Sequence, residues 1–138
     1  MNQYYPHLFE PFTIKKTTFR NHIFSAPNMM CHMDANGFPT DYMIAYYAEK
    51  AKGGAAVVTV GDTPVDHEHA PSNPRSFNLS YEALPFISEL AMAIKSHGAL
   101  ASLELNHGGL YNPPEAMGGR NPIGPVSFVR SWDGGEVI

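Results

Sequence analysis

The sequence predicts an α/β fold built on a parallel sheet. Three short apolar segments alternate with two amphipathic ones, in the order strand, helix, strand, helix, strand. The middle apolar segment, 55–60, has no polar face, which is typical of a parallel strand covered on both sides. Each apolar segment is followed directly by small or polar residues. Such residues are typical of the carboxyl ends of parallel strands, where α/β proteins place their functional sites. The pattern therefore predicts two right-handed β-α-β units.

The first half of the chain begins with a predicted β-hairpin over residues 8–22. There Phe12 and Ile14 alternate with polar neighbours, and a polar turn follows. An irregular N-terminal arm is the alternative for the same residues. Residues 23–26 form the first predicted strand. Thr40 can cap a helix that ends near residue 52, with one apolar face formed by Ile44, Tyr47, Ala48 and Ala51.

The second half of the pattern starts where Gly53 and Gly54 end that helix. Strand 55–60 leads to a second helix over 81–97, which Gly98 terminates, and residues 99–105 form the third strand. The predicted buried stripe of the second helix consists of Leu84, Ile87, Leu90, Ala91 and Ile94.

Residues 108–138 have a different character from residues 23–107. They are rich in Gly and Pro and show no helical stripe, which predicts a long loop region. Three parallel strands with two helices leave one sheet face poorly covered and both edges open. We therefore expect the sheet to pack against the remainder of a larger fold.

Composition excludes several classes of function. The chain has 138 residues and a net charge of −4, with its basic residues scattered, which argues against a nucleic-acid partner. Cys31 is the only cysteine, so no intrachain disulfide can form. No secretory signal is visible at the N-terminus, and no apolar run approaches the roughly 20 residues that span a membrane. These features predict a soluble, cytoplasmic protein without a membrane partner.

Five segments around the predicted strand ends resemble, in order and spacing, the Old Yellow Enzyme family of FMN-dependent ene-reductases. The likeness is strongest to its 2,4-dienoyl-CoA reductase-like NADH:flavin oxidoreductases, and it runs from Leu8 to about Ser127. It implies the N-terminal part, about three β/α units, of a TIM (β/α)8 barrel. The family's His-His or His-Asn substrate pair has no counterpart here. The matching segments are 20–23, 25–29, 46–54, 59–65 and 97–109.

The resemblance implies a reaction as well as a fold. NADH or NADPH would reduce FMN, which would reduce the activated C=C bond of an enone or enoyl thioester. A homo-oligomer and a small unsaturated carbonyl substrate are implied, and an Fe–S and FAD domain C-terminal to this sequence is left open. We expect the 138-residue chain alone to be inactive. A non-catalytic fragment or subunit that completes a barrel with a partner chain is the alternative.

The loop after the first strand is the first candidate cofactor site. The resemblance implies that Ala26, Pro27, Asn28 and Met29 run beneath the flavin, with backbone groups against its ring. Proline keeps such a turn rigid. Relatives often have Thr or Cys where Met29 stands, and a thioether cannot donate a hydrogen bond. Gap-filling in a core is the alternative role for Met29.

Gly61, Asp62 and Glu104 are implied to approach the flavin from the next two strands. Gly61 would let the backbone come near the pyrimidine edge, and Asp62 would add a carboxylate or simply form an Asx turn. Glu104 stands where most relatives have Gln, and an ionised carboxylate only accepts hydrogen bonds. It would be protonated, or paired with a cation elsewhere in the barrel. Alternatively, it belongs to a branch that binds flavin differently.

The resemblance implies that His107 lines the flavin or substrate pocket. Leu110, which follows the paired glycines, stands where relatives often have Arg. No residue stands out as the catalytic proton donor.

Residues 66–69, Asp-His-Glu-His, contain metal-ligand types and so raise a metal-dependent barrel as a further alternative. The shortness of this motif favours a solvated loop without a metal.

Overall fold

The computed structural model describes residues 4–71, 77–112 and 114–138. Residues 1–3, which belong to the N-terminal segment without a visible secretory signal, lie outside the described residues. Short 3₁₀ turns precede the second helix and follow the fifth strand. The strands and helices are β1 (Phe12–Ile14), β2 (Thr17–Phe19), β3 (Phe24–Asn28), α1 (Asp41–Lys52), β4 (Val57–Pro64), α2 (Leu84–Ser96), β5 (Leu100–Asn106), β6 (Phe128–Val129) and β7 (Glu136–Val137).

The predicted β-α-β-α-β order is confirmed. Strands β3, β4 and β5 form a parallel sheet in that order, with β4 in the centre. Val57 of β4 pairs with Phe24 on one side and with Leu100 on the other. Across the described parts of the chain, the outer edges of β3 and β5 have no strand beside them. The three carboxyl ends consequently lie side by side.

Both helices pack on one face of the sheet and form the core with it. Tyr47 and Ala51 of α1 are buried, as are Leu90 and Ile94 of α2. Fully burying a large apolar side chain contributes roughly 1.5–3 kcal/mol. The predicted stripe of α2 was wrong at Leu84, which is 59% exposed in the first turn of the helix.

The helix ends agree with the sequence signals. The Thr40 hydroxyl accepts a hydrogen bond from the Met43 N–H at 3.4 Å, which caps α1. Gly98, with φ +76°, follows α2 in the left-handed conformation that glycine adopts most readily. Thr40 and Gly98 thus mark a helix start and a helix end that local sequence determines.

Arg20 joins the two helix ends, a role that the sequence did not reveal. Its guanidinium donates to the carbonyl oxygens of Ala51 at 2.6 Å, Ala55 at 2.6 Å and His97 at 2.6 Å. Ala51 lies in the last turn of α1, and His97 caps α2. A cation at a helix C-terminus also interacts favourably with the helix dipole. Arg20 therefore stabilises both helices at once.

The three parallel strands run past their predicted carboxyl ends and begin one or two residues later than predicted. Strand β3 reaches Asn28 and includes Pro27, which an edge strand tolerates because its N–H is not needed in the sheet. Strand β4 continues to Pro64, with an irregular register between Val60 and Thr63. Within that irregularity Asp62 adopts φ +55°.

The predicted N-terminal hairpin is present as β1 and β2. Its Phe12 and Phe19 rings stack at 4.8 Å, and Phe19 stacks on Phe24 of β3 at 5.3 Å. The hairpin consequently covers the amino-terminal end of β3, away from the strand ends that carry the candidate site.

Among the described residues of the region 108–138, β6 and β7 form an antiparallel pair. Buried Arg130 organises it: the guanidinium donates to the Leu110 carbonyl at 2.9 Å and pairs with Asp133 at 2.8 Å. Neither described helix has the length and apolar character required to cross a membrane.

Candidate functional site at the carboxyl ends of the strands

Asn28, at the end of β3, is held by two tyrosines of α1. The Tyr46 hydroxyl donates to the Asn28 side-chain oxygen, and the Tyr47 hydroxyl donates to the Asn28 carbonyl. Tyr47 is fully buried, and this burial raises the pKa of its hydroxyl. Ala26 and Pro27 are exposed beside it. The turn that leads into Met29 is therefore tied to α1.

Gly61 lies where β3 and β4 approach each other most closely. A Cβ at Gly61 would come within 2.6 Å of the Asn28 nitrogen and 2.9 Å of its carbonyl carbon. The glycine is therefore required by the neighbouring strand, a reason different from the close approach of a ligand inferred from the sequence. Its N–H also points to the Tyr47 hydroxyl, at 3.5 Å.

Asp62, Glu104 and Asn106 meet at the ends of β4 and β5. The Asp62 N–H donates to Glu104 Oε2 at 3.1 Å, and the Asn106 amide donates to Asp62 Oδ1. Aspartate tolerates the left-handed conformation that Asp62 adopts better than most residues. Glu104 is exposed, whereas Asn106 Oδ1 is buried and has no partner among the described residues. This cluster is rich in hydrogen-bond acceptors.

His107 follows β5 and is exposed. The Gly109 N–H donates to His107 Nδ1 at 3.0 Å, so Nδ1 is the acceptor and the ring N–H of the neutral imidazole is at Nε2. A Cβ at Gly108 would overlap the Asn112 side chain, so this glycine is needed for packing. His107 thus carries a ring N–H donor one residue after Asn106 of the acceptor-rich cluster.

Residues 66–69 form a turn stabilised by their own side chains. Asp66 Oδ1 accepts from the N–H groups of Glu68 and His69, both at 3.0 Å, and Asp66 Oδ2 lies 3.0 Å from His69 Nδ1. Glu68 pairs with Arg120. Among the described residues, no group of three or more His, Cys, Asp or Glu is arranged to hold a metal ion. The geometry is that of a capped turn.

The Asp66 turn makes stability depend on pH. Burial acts to raise the pKa of Asp66, but the hydrogen bonds from His69 and Glu68 outweigh it, and the net pKa lies below 3.8. Asp66 therefore stabilises the fold above about pH 3.8, and this contribution is lost as the pH falls through the lower folded value. The side chain is 40% exposed, so solvent screening keeps the effect small.

We expect Asp66→Asn to lower stability slightly at neutral pH and to make the acid limb of the stability profile shallower. Urea unfolding at a series of pH values from 2 to 7 measures both effects. Glu89→Gln, which removes an exposed carboxylate from α2, is the matched control. Identical acid limbs in Asp66→Asn and the unsubstituted chain would contradict this assignment.

Sequence reasoning missed Tyr46, Tyr47 and Asn106 as site residues. Tyr47 could have been found, because it lies on the predicted buried face of the first helix. A buried tyrosine needs a hydrogen-bond partner for its hydroxyl, whereas phenylalanine does not. Nothing local identified Asn106, since its partner Asp62 is 44 residues away in the chain.

Comparison with known proteins identifies the family. Residues 7–131 match the NADH:flavin oxidoreductase / NADH oxidase family. The chain is 32% identical over 104 residues to N,N-dimethylglycine/sarcosine dehydrogenase of Chromohalobacter salexigens, covering 74% of this chain and 15% of that protein. It is 31% identical, over its whole length, to "Probable NADH-dependent flavin oxidoreductase YqiG" of Bacillus subtilis, of which it covers 36%.

Solved structures agree on the fold. 2-Naphthoyl-CoA reductase in complex with 2-naphthoyl-CoA matches with a TM-score of 0.85 and 24% identity, over 97% of this chain and 22% of that one. Old Yellow Enzymes are among the other matches, and they share this fold. The family model that matches residues 7–131 confirms the resemblance found in the sequence. The chain spans well under half the length of each of these proteins. It belongs to the NADH:flavin oxidoreductase / NADH oxidase family, and its three parallel strands are an N-terminal portion of that family's (β/α)8 barrel.

Proposed function

We propose that the protein containing this chain is an FMN-dependent NAD(P)H oxidoreductase that reduces activated C=C bonds of enones or enoyl thioesters. Within it, this chain supplies the loops that hold the flavin from the ends of β3, β4 and β5. The observation that carries the proposal is the convergence of Asp62, Glu104 and Asn106 at the strand ends of a family member.

The donors and acceptors of the cluster suit the pyrimidine edge of a flavin. That edge presents one N–H between two carbonyl oxygens. The Glu104 carboxylate and the buried, unpartnered Asn106 Oδ1 are acceptors for the N–H, and His107 Nε2–H is a donor for a carbonyl. When bound, the flavin supplies hydride transfer. The residues proposed to hold it are Ala26, Pro27, Asn28, Met29, Gly61, Asp62, Glu104 and His107.

Glu104 is oriented for this role by the backbone of the neighbouring strand. Its Oε2 accepts from the Asp62 N–H, and the Asp62 side chain is in turn fixed by Asn106. The carboxylate is therefore held between two strands, which reduces the rotamer freedom lost when a ligand binds. Hydrogen bonds to a charged group contribute about 1.5–3 kcal/mol each.

Titration of the purified chain with FMN, followed by visible absorption, tests the proposed site. We expect a perturbed flavin band that saturates at one FMN per chain, and at least about tenfold weaker binding in Glu104→Ala because a charged acceptor is lost. Glu115→Ala removes an exposed carboxylate from the loop after β5 and is the control. A free-flavin spectrum throughout would contradict the site. Enone reduction is expected only from a protein with the complete barrel.

Oxidation of an N-methyl amine is a second candidate reaction. One of the relatives above is named for dehydrogenation of N,N-dimethylglycine and sarcosine. The acidic side chains of Asp62 and Glu104 at the strand ends favour a cationic substrate group. Parallel assays of the complete protein with an enone plus NADH, and with sarcosine plus an electron acceptor, separate the two reactions.

Completion of the barrel by a partner chain is the alternative for the isolated chain. The outer edges of β3 and β5 are unpaired in the described residues, and apolar side chains of α2 and β5 line an open groove beside β5. Sedimentation analysis decides this point. A monomer with one cooperative unfolding transition would count against a partner.

A further inference from the structure

Tyr46 and Tyr47 of α1 direct both of their hydroxyls at a single residue. The Tyr46 hydroxyl reaches the Asn28 side-chain oxygen, and the Tyr47 hydroxyl reaches the Asn28 carbonyl. The two rings meet edge to face with their centroids 5.1 Å apart, and the Lys50 ammonium lies 4.5 Å from the Tyr46 ring centre. Ring packing thus sets the direction of both hydroxyls.

Packing alone does not explain the hydroxyl of Tyr47. The side chain is fully buried among the apolar residues of the core, where phenylalanine would fill the same space. A buried hydroxyl costs free energy unless it forms hydrogen bonds. The Tyr47 hydroxyl forms them with both β3 and β4, since it donates to the carbonyl of Asn28, the last residue of β3, and is approached by the N–H of Gly61 within β4.

Gly61 completes the arrangement from the other side. Asn28 backbone atoms occupy the space that a Gly61 side chain would need. The Asn28 side chain and its carbonyl are therefore each held by a different tyrosine, and its backbone lies directly against Gly61. Asn28 is the last residue of β3, so the loop that begins with Met29 starts from a fixed point.

We propose that Tyr46 and Tyr47 are positioning residues that fix the Asn28–Met30 loop against Gly61 and so set where its backbone meets the cofactor. This inference rests on the proposed function for the identity of that cofactor. It assigns the tyrosines no part in the chemistry. The two hydroxyls act through Asn28, and Tyr47 has the larger effect because it joins two strands.

The test combines local hydrogen exchange with FMN titration of the chain and of Tyr47→Phe, Tyr46→Phe and Tyr81→Phe. Tyr81 is 94% exposed and is the control. In Tyr47→Phe we expect faster exchange of the Gly61, Met29 and Met30 amides and unchanged exchange in α2. We also expect FMN binding to be weaker by about fivefold to tenfold, because one or two hydrogen bonds are lost. Tyr46→Phe, which leaves the core intact, should show a smaller loss in the same direction.

Two outcomes would overturn the inference. In the first, Tyr47→Phe and Tyr46→Phe show the same amide exchange rates and the same flavin spectra as the control Tyr81→Phe. The other is a uniform rise in exchange over the whole chain, with weaker binding that simply follows lower overall stability. If the unsubstituted chain binds no FMN, the proposed site fails, and the exchange pattern without FMN decides the role of the tyrosines. Faster exchange confined to the loop and Gly61 would then support it.

Discussion

Arg20→Ala is expected to lower the free energy of unfolding by about 3 kcal/mol or more. The substitution removes a guanidinium that donates to three carbonyl oxygens, those of Ala51, Ala55 and His97. Hydrogen bonds from a charged donor contribute about 1.5–3 kcal/mol each, and part of this is recovered when water reaches the carbonyls. Urea unfolding followed by far-ultraviolet circular dichroism measures the loss.

Arg20→Lys tests whether the shape of the guanidinium matters. Lysine keeps the charge but lacks the planar fork, so we expect it to restore less than half of the lost stability. Arg120→Ala, which removes an exposed arginine paired with Glu68, is the control and should change stability by at most about 1 kcal/mol. Equal unfolding curves for Arg20→Ala and Arg120→Ala would show that the helix ends do not need Arg20.

Gly61→Ala is expected to destabilise the chain by about 3 kcal/mol and to abolish FMN binding. The added Cβ would lie 2.6 Å from the Asn28 nitrogen, which is backbone and cannot rotate away. Overpacking costs typically 1–3 kcal/mol, and a clash with backbone belongs at the upper end of that range. The strands must separate, which displaces Asn28 and the loop that follows it.

Gly53→Ala is the matched control for Gly61→Ala. Gly53 has φ −65°, and its Cβ would approach only Glu49 and Lys50 carbonyls, at 3.3 Å and 3.4 Å. We expect a stability change within about 1 kcal/mol and normal FMN titration. Thermal unfolding and the flavin absorption band provide the two measurements. A Gly61→Ala chain with unchanged stability would mean that β3 and β4 can separate freely at this point.

The order of helices and strands was predictable because the signals for it are local. The Thr40 cap, the Gly53–Gly54 stop and the apolar stripe of α2 lie within the elements that they define. The boundaries of β3 and β4 were less predictable, since the sheet extends through Pro27 on an edge strand and through the irregularity at Asp62. These features depend on neighbouring strands, which a single sequence does not show.

The candidate site was predictable as a location but not as a set of contacts. The family resemblance implied roles for Gly61, Asp62 and Glu104, whereas the bond between the Asp62 N–H and Glu104 depends on a positive φ and a register shift. The reason for Gly61 was also hidden, because it lies in the backbone of another strand. Buried Arg130 went unnoticed, since its partners are spread through a loop without periodicity.

The hydrogen bond from Arg20 to the His97 carbonyl joins residues 77 positions apart. During synthesis the guanidinium emerges from the ribosome long before this partner does. The first helix and its strand can form early, but they cannot become fully stable until the second helix has been made and docked. Full stability of the first unit therefore depends on the second, and a nascent chain that stops short of residue 97 has only the Arg20 bonds to the Ala51 and Ala55 carbonyls.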